Sequence, residues 1–324
     1  MSKVISQAVR LVLIAVLGTF TTVGIAETFP VRPVRLVVPF PPGGPSDILG
    51  RVLAEKLSQK WKQSVIVENK PGGLTRIATM DVMRTPADGY TLLIGIDATF
   101  AMNPFLYSKP GYDPLKDFTH ITLIATQSLV LLANKTTPVD SVAALISYAK
   151  KHPGEVNFGS ATTSTQLTGE LFKRMAGVDM TYVPYKGNSE VTRGMLGGDI
   201  QVSFDGIAAN APYVKNGQFL ALATTGLRRT PAMPDVPTLD ELGLKNFEVR
   251  VWNGLSAPAG VPRPIVDKIQ ADVKAVLEQK DIKDKLLTLG LETVGSSSKE
   301  YVDTIKRDSE KYAPLIKELG LRID

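Results

Sequence analysis

Proline and glycine are concentrated between Pro39 and Asp47, in the segment Pro-Phe-Pro-Pro-Gly-Gly-Pro-Ser-Asp, which separates a strand-like run from a helix-like run. Glycine lets the backbone approach a ligand closely, and the free amides at the start of a helix attract anions. We therefore predict an anion-binding loop here, with Ser46 or Asp47 as the N-cap of the following helix. The alternative is a tight turn with a helix cap and no ligand.

A second segment of this kind runs from Asn157 to Gln166, where a strand-like run meets several small hydroxyl-bearing residues before a predicted helix over residues 167–175. Hydroxyls and helix-start amides offer neutral donors to a carboxylate. Both segments follow strands, and α/β proteins bind ligands at the carboxyl ends of their strands. The pair therefore predicts a site for a small carboxylate, while the alternative for this segment is a Ser/Thr-rich helix cap.

Residues suited to catalysis are scarce. The chain has two histidines, His120 in an extended stretch and His152 at a helix end, and we predict that both are structural or solvated. It has no Gly-x-Ser-x-Gly elbow, no Walker loop and no His/carboxylate spacing typical of a metal site. We therefore expect a binding protein that uses no cofactor and no metal. A hydrolase using Ser46 or Ser160 is the alternative, although neither histidine lies near these serines in the chain.

Apolar residues alternate between two spacings along the chain. Short β-rich runs alternate with segments of helical spacing, which is typical of an α/β fold with a largely parallel sheet. The predicted strands cover residues 34–39, 64–68, 90–95, 118–134, 156–159, 181–183, 202–204, 221–224 and 249–257. The predicted helices cover residues 48–61, 76–84, 141–151, 167–175 and 265–279. The extended stretches 118–134 and 249–257 are the predicted crossings between two lobes.

The N-terminal segment, residues 1–26, has the pattern of an export signal. Lys3 and Arg10 precede the apolar run 11–17, and the small residues Gly24 and Ala26 stand where a signal peptidase cuts. The run is shorter than the roughly 20 apolar residues that span a bilayer. We therefore predict a cleaved signal peptide and a periplasmic protein.

Cysteine content and net charge exclude some kinds of anchor, cross-link and partner. The chain has no cysteine, so a lipoprotein anchor and disulfides are excluded. Its formal net charge is +5, and its basic residues are interspersed with acidic ones. This pattern does not predict a nucleic-acid partner.

Ordered motifs across nearly all of the chain after residue 26 resemble the substrate-binding receptors of tripartite tricarboxylate transporters, the TctC or Bug family. The motifs are Phe29–Asp47, Val67–Gly73, Pro86–Leu93, Asn103–Tyr107, Glu170–Lys173, Val183–Gly187, Phe204–Asp205, Leu222–Thr224, Pro234–Thr238 and Trp252–Gly260. The resemblance implies a type II periplasmic binding fold, with one lobe from residues 27–127 and 251–324 and the other from residues 128–250. It also implies a monomer that captures a small organic carboxylate and delivers it to membrane subunits of a transporter.

The resemblance also implies a set of ligand-binding residues. The first loop supplies backbone amides to a carboxylate, the second loop faces it from the other lobe, and Asp205 matches the family's aspartate at the cleft. The implied residues are Phe40, Pro41, Pro42, Gly43, Gly44, Ser46, Asp47, Ser160, Ala161, Thr162, Thr163, Ser164, Gln166 and Asp205. An alternative for Asp205 is a turn residue at a strand end.

Departures from the family pattern bear on the ligand. The second loop is shorter than usual, and Gln166 stands where the family has histidine. Residues 72–77 bring Thr75 and Arg76 into a stretch that is normally rich in glycine. Arginine's planar fork suits a bidentate contact with a carboxylate. We therefore predict that Thr75 and Arg76 belong to the site and that the ligand is a dicarboxylate.

An aromatic diacid such as terephthalate extends this hypothesis, with Phe100 and Trp252 as a flat wall beside Arg76. The alternative for Arg76 is a solvated residue at the start of a helix. A receptor that presents its closed form to a signalling partner is the alternative to transport, because the fold alone does not separate these roles.

Overall fold

The computed structural model describes residues 29–323, which form ten strands and ten α-helices. The predicted signal peptide, residues 1–26, lies outside the described residues. The strands are β1 Val34–Val38, β2 Val65–Asn69, β3 Thr91–Ile96, β4 Phe118–Asn134, β5 Asn157–Ser160, β6 Thr181–Pro184, β7 Val202–Gly206, β8 Phe219–Thr224, β9 Arg250–Pro258 and β10 Glu292–Thr293.

The helices are α1 Pro45–Trp61, α2 Arg76–Met83, α3 Asn103–Leu106, α4 Val142–Lys151, α5 Thr163–Ala176, α6 Asn188–Gly197, α7 Ile207–Lys215, α8 Arg263–Leu277, α9 Lys280–Leu287 and α10 Ser298–Glu318. A short 3-10 turn, Gly73–Thr75, leads into α2, and a π-helical turn, Ala98–Met102, leads into α3. No helix within residues 29–323 is long and apolar enough to cross a membrane.

The strands fall into two groups that share β4. In the first group, β2, β1 and β3 run parallel, and β9 pairs antiparallel with β3 and with residues 118–128 of β4. In the second group, residues 129–134 of β4 pair antiparallel with β7 and β8, and β7, β5 and β6 run parallel. The partner of β4 therefore changes between Ser128, which faces Arg250, and Leu129, which faces Gly206.

Hydrogen bonds tie three chain segments together where β4 changes partner. The buried Thr225 donates its amide to the Leu129 carbonyl, and its hydroxyl accepts from the Leu129 amide at 2.9 Å. The same hydroxyl donates to the Val249 carbonyl at 2.7 Å, and the Val249 amide returns a bond to the Thr225 carbonyl. One threonine thus joins both predicted crossings to the end of β8.

Each strand group has its own apolar core, as the alternating pattern of the sequence requires. Buried residues in the core of the first group include Val37, Leu93, Phe100, Trp252 and Tyr301. Buried residues in the core of the second group include Leu131, Phe158, Phe172, Phe204 and Phe247. A smaller cluster, in which Leu167 of α5 packs with Met102 and Tyr312, connects the two groups.

The predicted α/β alternation is confirmed, and each predicted strand is found within one or two residues of its expected bounds. The N-cap prediction for α1 is wrong. The helix begins at Pro45 with Gly44 as its N-cap and no side-chain cap. Proline at the first helical position has no amide that needs a partner, and the Asp47 carboxylate accepts from Gly43, which lies before the helix.

Candidate functional site

Asp47 organises the loop that follows β1. Its buried carboxylate accepts hydrogen bonds from the Gly43 amide at 2.9 Å, Arg51 Nε at 2.9 Å and Asn69 Nδ2 at 2.8 Å. Burial raises the pKa of this carboxyl, but the bonds from Arg51, Gly43 and Asn69 outweigh burial and hold the pKa below its usual value. Asp47 is therefore ionised, and its charge is used to shape the loop.

The rest of this loop is open to solvent. Pro41, Pro42 and Gly43 are exposed, and a Cβ atom built on Gly43 or Gly44 would meet no atom within 4 Å. Gly43 has a φ of +90°, a conformation that a side chain would strain. The backbone of residues 41–44 is therefore the part of the loop that a ligand can approach closely.

Side chains fix the two ends of this loop. Ser46 Oγ donates to Asn253 Oδ1 on β9 at 2.8 Å, and Asn69 Nδ2 donates to the Phe40 carbonyl at 3.0 Å. These bonds join the loop to β9 and β2, so its position is set by the sheet. Asn69 and Asn253 were not among the predicted site residues.

The turn before α2 has an unusual backbone. Four consecutive residues have positive φ values: Gly72 +121°, Gly73 +55°, Leu74 +48° and Thr75 +79°. Left-handed conformations cost a non-glycine residue about 1–2 kcal/mol. Side chains from the next segment hold the turn, because Asn103 Nδ2 donates to the Leu74 carbonyl and the Tyr107 hydroxyl donates to the Gly73 carbonyl.

Thr75 and Arg76 have different surroundings. Thr75 is buried, and its hydroxyl is hydrogen-bonded to Thr99 Oγ1 at 2.8 Å. Arg76 is partly exposed, and its guanidinium donates to the Pro110 carbonyl at 2.8 Å and to the Lys109 carbonyl at 3.1 Å. Two of the five N–H donors of Arg76 are therefore engaged by backbone.

The loop after β5 forms the start of α5. Thr162 is the N-cap, and its hydroxyl accepts from the Thr165 amide at 3.2 Å. Ser160 is buried, and its hydroxyl donates to the Thr162 carbonyl at 3.3 Å. Ser164 is also buried and lies 3.8 Å from the sulfur of Met102. The predicted residues with solvent contact in this loop are Ala161, Thr162, Thr163 and Gln166.

Asp205 lies at the carboxyl end of β7 and is 5% exposed. Its carboxylate accepts from Asn188 Nδ2 at 2.8 Å, from the Gly206 amide at 2.7 Å and from Asn210 Nδ2 at 3.1 Å. Burial raises the pKa of Asp205, with the Gly206 and Asn210 bonds opposing that rise. The three donors are neutral, so they stabilise the carboxylate without cancelling its charge.

Asp97, which follows β3, was missed by the sequence reasoning. It is 1% exposed, and within residues 29–323 neither of its carboxyl oxygens has a hydrogen-bond partner. Burial raises its pKa to about 7, and the charge of Asp308 adds to the rise. The Ser164 hydroxyl and the Ala98 amide oppose it, but neither is in hydrogen-bond geometry with the carboxyl.

The two histidines have the structural or solvated surroundings that were predicted. His120 is buried, with Nδ1 2.9 Å from Ser256 Oγ and Nε2 2.7 Å from the Pro114 carbonyl, and burial lowers its pKa to about 4. His152 lies at the end of α4, 3.2 Å from Glu155. Neither histidine contacts Ser46 or Ser160.

The prediction of a flat aromatic wall is wrong. Phe100 is fully buried in the first core, where its ring packs edge-on against Phe118 and His120. Trp252 is buried in the same core, and its Nε1 donates to Asp308 Oδ2 at 2.8 Å. The spacing along the chain places both rings on the core side of their elements.

The predicted loops therefore lie at corresponding edges of the two strand groups. Parallel strands end at one edge of a sheet, so residues 40–47, 72–75 and 97 share an edge of the first group, and residues 160–166, 188 and 205 share an edge of the second. Both edges present backbone amides, hydroxyls and amide side chains, which suit an anion held by neutral donors. Within the described part of the chain, no group of three histidine, aspartate or glutamate side chains is placed to hold a metal.

Comparison with known proteins identifies the family. The model of the tripartite tricarboxylate transporter family receptor, TctC, matches residues 49–321. Protein BugT of Bordetella pertussis is 32% identical over 320 residues, with 96% of this chain and 98% of BugT covered.

Two solved structures of relatives name a ligand. Rpa4515 of R. palustris with adipate has a TM-score of 0.79 and 36% identity, with 91% of this chain and 99% of that chain covered. MatC from Rhodopseudomonas palustris with bound malate has a TM-score of 0.75 and 31% identity, with 89% of this chain and 100% of that chain covered. This chain therefore belongs to the TctC family of periplasmic solute-binding receptors and has the two-lobed type II periplasmic binding fold.

Proposed function

We propose that this protein captures a small dicarboxylate outside the cytoplasm, closes its two lobes on it and delivers it to the membrane subunits of a tripartite tricarboxylate-type transporter. The observation that carries the proposal is the presence of neutral hydrogen-bond donors at corresponding edges of two strand groups that share β4. Such donors hold a carboxylate without any group that performs chemistry on it.

The shared strand supports the proposed division into lobes. One lobe comprises residues 27–127 and 251–324, and the other comprises residues 128–250. The change of partner along β4 between Ser128 and Leu129 falls at this boundary, and Thr225 ties β4 to Val249 at the same level. In the proposed mechanism, a ligand held at one edge bridges to the other and shifts an open and closed equilibrium.

Two relatives support the ligand class. Rpa4515 is described with adipate and MatC with malate, and both ligands are dicarboxylates. In the proposed complex, the Gly44 amide and the free amides at the start of α1 bind one carboxylate, because Pro41 and Pro42 have no N–H and Gly43 donates to Asp47. The exposed part of the loop 160–166 closes over it. An aromatic diacid such as terephthalate is the alternative ligand, and it would have to bind without the Phe100 and Trp252 rings, which are buried.

Arg76 is the proposed partner of the far carboxylate. Its guanidinium has five N–H donors, of which the Lys109 and Pro110 carbonyls engage two. The remaining donors are available to a carboxylate while the existing bonds hold the side chain in place. A guanidinium fixed in this way loses less conformational entropy when it binds.

Isothermal titration calorimetry of the purified protein tests this proposal. We expect one C4 to C6 diacid or terephthalate to bind with micromolar affinity, about −8 kcal/mol, and monocarboxylates of matched length to bind at least about tenfold more weakly, since they lack one charged hydrogen-bonded group. Absence of binding across the whole panel contradicts the proposal, and so does turnover of a carboxylate ester.

Arg76→Ala tests the assignment of the far carboxylate. Loss of a hydrogen bond to a charged group should weaken the diacid by about tenfold or more and leave a monocarboxylate unchanged. Arg84→Ala is the matched control, because Arg84 is an exposed arginine directly after the same helix. Equal affinity of the wild-type and Arg76→Ala proteins for the diacid removes Arg76 from the site.

A further inference from the structure

Asn188 is the first residue of α6 and is exposed, yet its side chain is held in one position. Its Nδ2 donates to Asp205 Oδ1 at 2.8 Å. A bond from an exposed amide to a buried carboxylate fixes both the rotamer of the asparagine and the orientation of its amide, because only the NH2 group can donate. Asn188 therefore has a defined hydrogen-bonding face.

Asp205 is itself held in position by hydrogen bonds, so it can orient the Asn188 amide. Its other contacts are the Gly206 amide at 2.7 Å and Asn210 Nδ2 at 3.1 Å, and Asn210 Nδ2 also donates to the Gly206 carbonyl at 2.9 Å. The carboxylate is thus held by the backbone at the end of β7 and by α7. Its remaining partner, Asn188, is the one that reaches solvent.

The free groups of the Asn188 amide face solvent at the edge where the second strand group ends. An amide NH2 has two hydrogens, and Asp205 takes one of them. Across residues 29–323, the Asn188 side chain makes no second hydrogen bond. One N–H therefore remains for a ligand beside the predicted loop 160–166.

We propose that Asn188 is a ligand-binding residue of the second lobe and that Asp205 is the residue that positions it. The free Nδ2–H donates to a carboxylate of the ligand, and the Asp205 charge acts on the ligand through this amide. An exposed aspartate at the same edge would repel the anion, whereas a buried one that orients an amide supplies a donor. This inference rests on the proposed function.

Affinity for the best diacid of the panel tests the role of Asn188. Asn188→Ala should weaken that diacid by about 10- to 100-fold, the effect of one hydrogen bond to a charged group. The melting temperature of the ligand-free variant should fall by roughly a few degrees, because the buried Asp205 loses one of its three donors, and the affinity is measured well below that temperature. Ser189→Ala, at the next exposed position of the same helix, is the matched control and should keep wild-type affinity.

A double-mutant cycle tests the positioning role of Asp205. Asp205→Ala, which removes the oxygen that accepts from Asn188, should change the affinity markedly when Asn188 is present and little in the Asn188→Ala background, because the amide it orients is then gone. Asn188→Ser, which restores a short donor, should recover part of the affinity. A purely structural role for Asp205 would give the same change in both backgrounds.

The outcomes separate this inference from the proposed function. Wild-type affinity in Asn188→Ala overturns the role of Asn188 and leaves carboxylate capture intact. Equal effects of Asp205→Ala in the two backgrounds overturn the positioning role alone. A wild-type protein that binds no carboxylate of the panel overturns the proposed function and this inference together.

Discussion

The two edges of the candidate site each have a buried aspartate at a strand end, but the surroundings of these aspartates differ. Asp47 on the first edge accepts from a cation, Arg51, as well as from the Gly43 amide and Asn69, and its pKa is lowered. Asp205 on the second edge accepts only from neutral amides, and its pKa is raised. A carboxylate that is paired with a cation can shape a loop beside an anion site. A carboxylate without a cation is tolerated there when neutral amides lie between it and the anion.

Asp97 extends the comparison to a carboxyl that has neither kind of partner. It is buried beside Ser164 of α5, Asp308 and Tyr312 of α10, and the π-helical turn that starts at Ala98. Arg307 and Lys311 of α10 pair with Asp308, and no cation of residues 29–323 is among the groups that shift the pKa of Asp97. The three aspartates thus form a series from a cation with amides, through amides alone, to no partner. Burial raises the pKa of all three carboxyls, and it is outweighed only at Asp47, where a cation and two amides favour the charged form.

Asp97→Asn should have the largest effect, on the pH dependence of stability. The folded-state pKa of Asp97, about 7, lies above its ordinary value of 3.8. Its contribution to stability is therefore fully present below pH 3.8 and is lost as the pH rises through 7. We expect the difference in unfolding free energy between wild type and variant to shift by about 4 kcal/mol between pH 4 and pH 8, in favour of the variant.

Urea unfolding at a series of pH values measures this shift. Asp88→Asn is the control, because Asp88 lies in an exposed pair with Arg32. Parallel pH profiles of the unfolding free energy for the wild-type and Asp97→Asn proteins would show that Asp97 has a partner in solution. Asp97 would then not differ from Asp205 in lacking one.

Asp47→Ala should have the next largest effect. The change removes the acceptor of the Gly43 amide and one acceptor each of Arg51 and Asn69. Each of these three bonds goes to a buried charged group and contributes about 1 kcal/mol or more, so we expect a loss of about 3 kcal/mol in unfolding free energy and loss of carboxylate binding. Chemical denaturation and calorimetry measure both effects.

The control for this change is Asp113→Ala, which removes an aspartate that accepts backbone amides in an exposed turn. It should leave carboxylate affinity unchanged. If Asp47→Ala binds the diacid as the wild type does, the loop keeps its shape without the aspartate. The role assigned to Asp47 in the comparison with Asp205 is then wrong.

Asp205→Asn should have the smallest effect on stability. An asparagine keeps one acceptor for the Gly206 amide and removes a buried charge that has no cationic partner, so gain and loss nearly balance. We expect the unfolding free energy to change by less than about 1 kcal/mol at pH 7. A loss as large as that of Asp47→Ala in urea unfolding would mean that the two aspartates have the same role.

The sequence predicts where the strands and loops of the site lie better than it predicts the contacts of the side chains there. The strands before both loops are short apolar runs next to glycine or hydroxyl residues, so local pattern places them within two residues. The turn at residues 72–75 is marked in the sequence by Gly72 and Gly73 alone, because the left-handed positions of Leu74 and Thr75 usually need glycine and leave no local signal. These features depend on neighbours in the chain.

Features that depend on distant residues were not predictable in this way. Arg76 binds the carbonyls of residues 109–110, and Asn188 binds Asp205, and neither pairing leaves a local signal. Phe100 and Trp252 were misplaced because aromatic residues suit a cleft wall and a core equally well. Helix α10 is absent from the predicted elements, although its capping box at Ser297 and Glu300 is a local signal that was available.

Small-angle X-ray scattering of the purified protein, with and without a saturating diacid, tests the central claim most directly. If the two edges close on one ligand, the radius of gyration falls when the diacid binds and stays unchanged with a matched monocarboxylate that reaches only one edge. An unchanged radius of gyration at a diacid concentration that calorimetry shows to be saturating would contradict closure as the mechanism of capture.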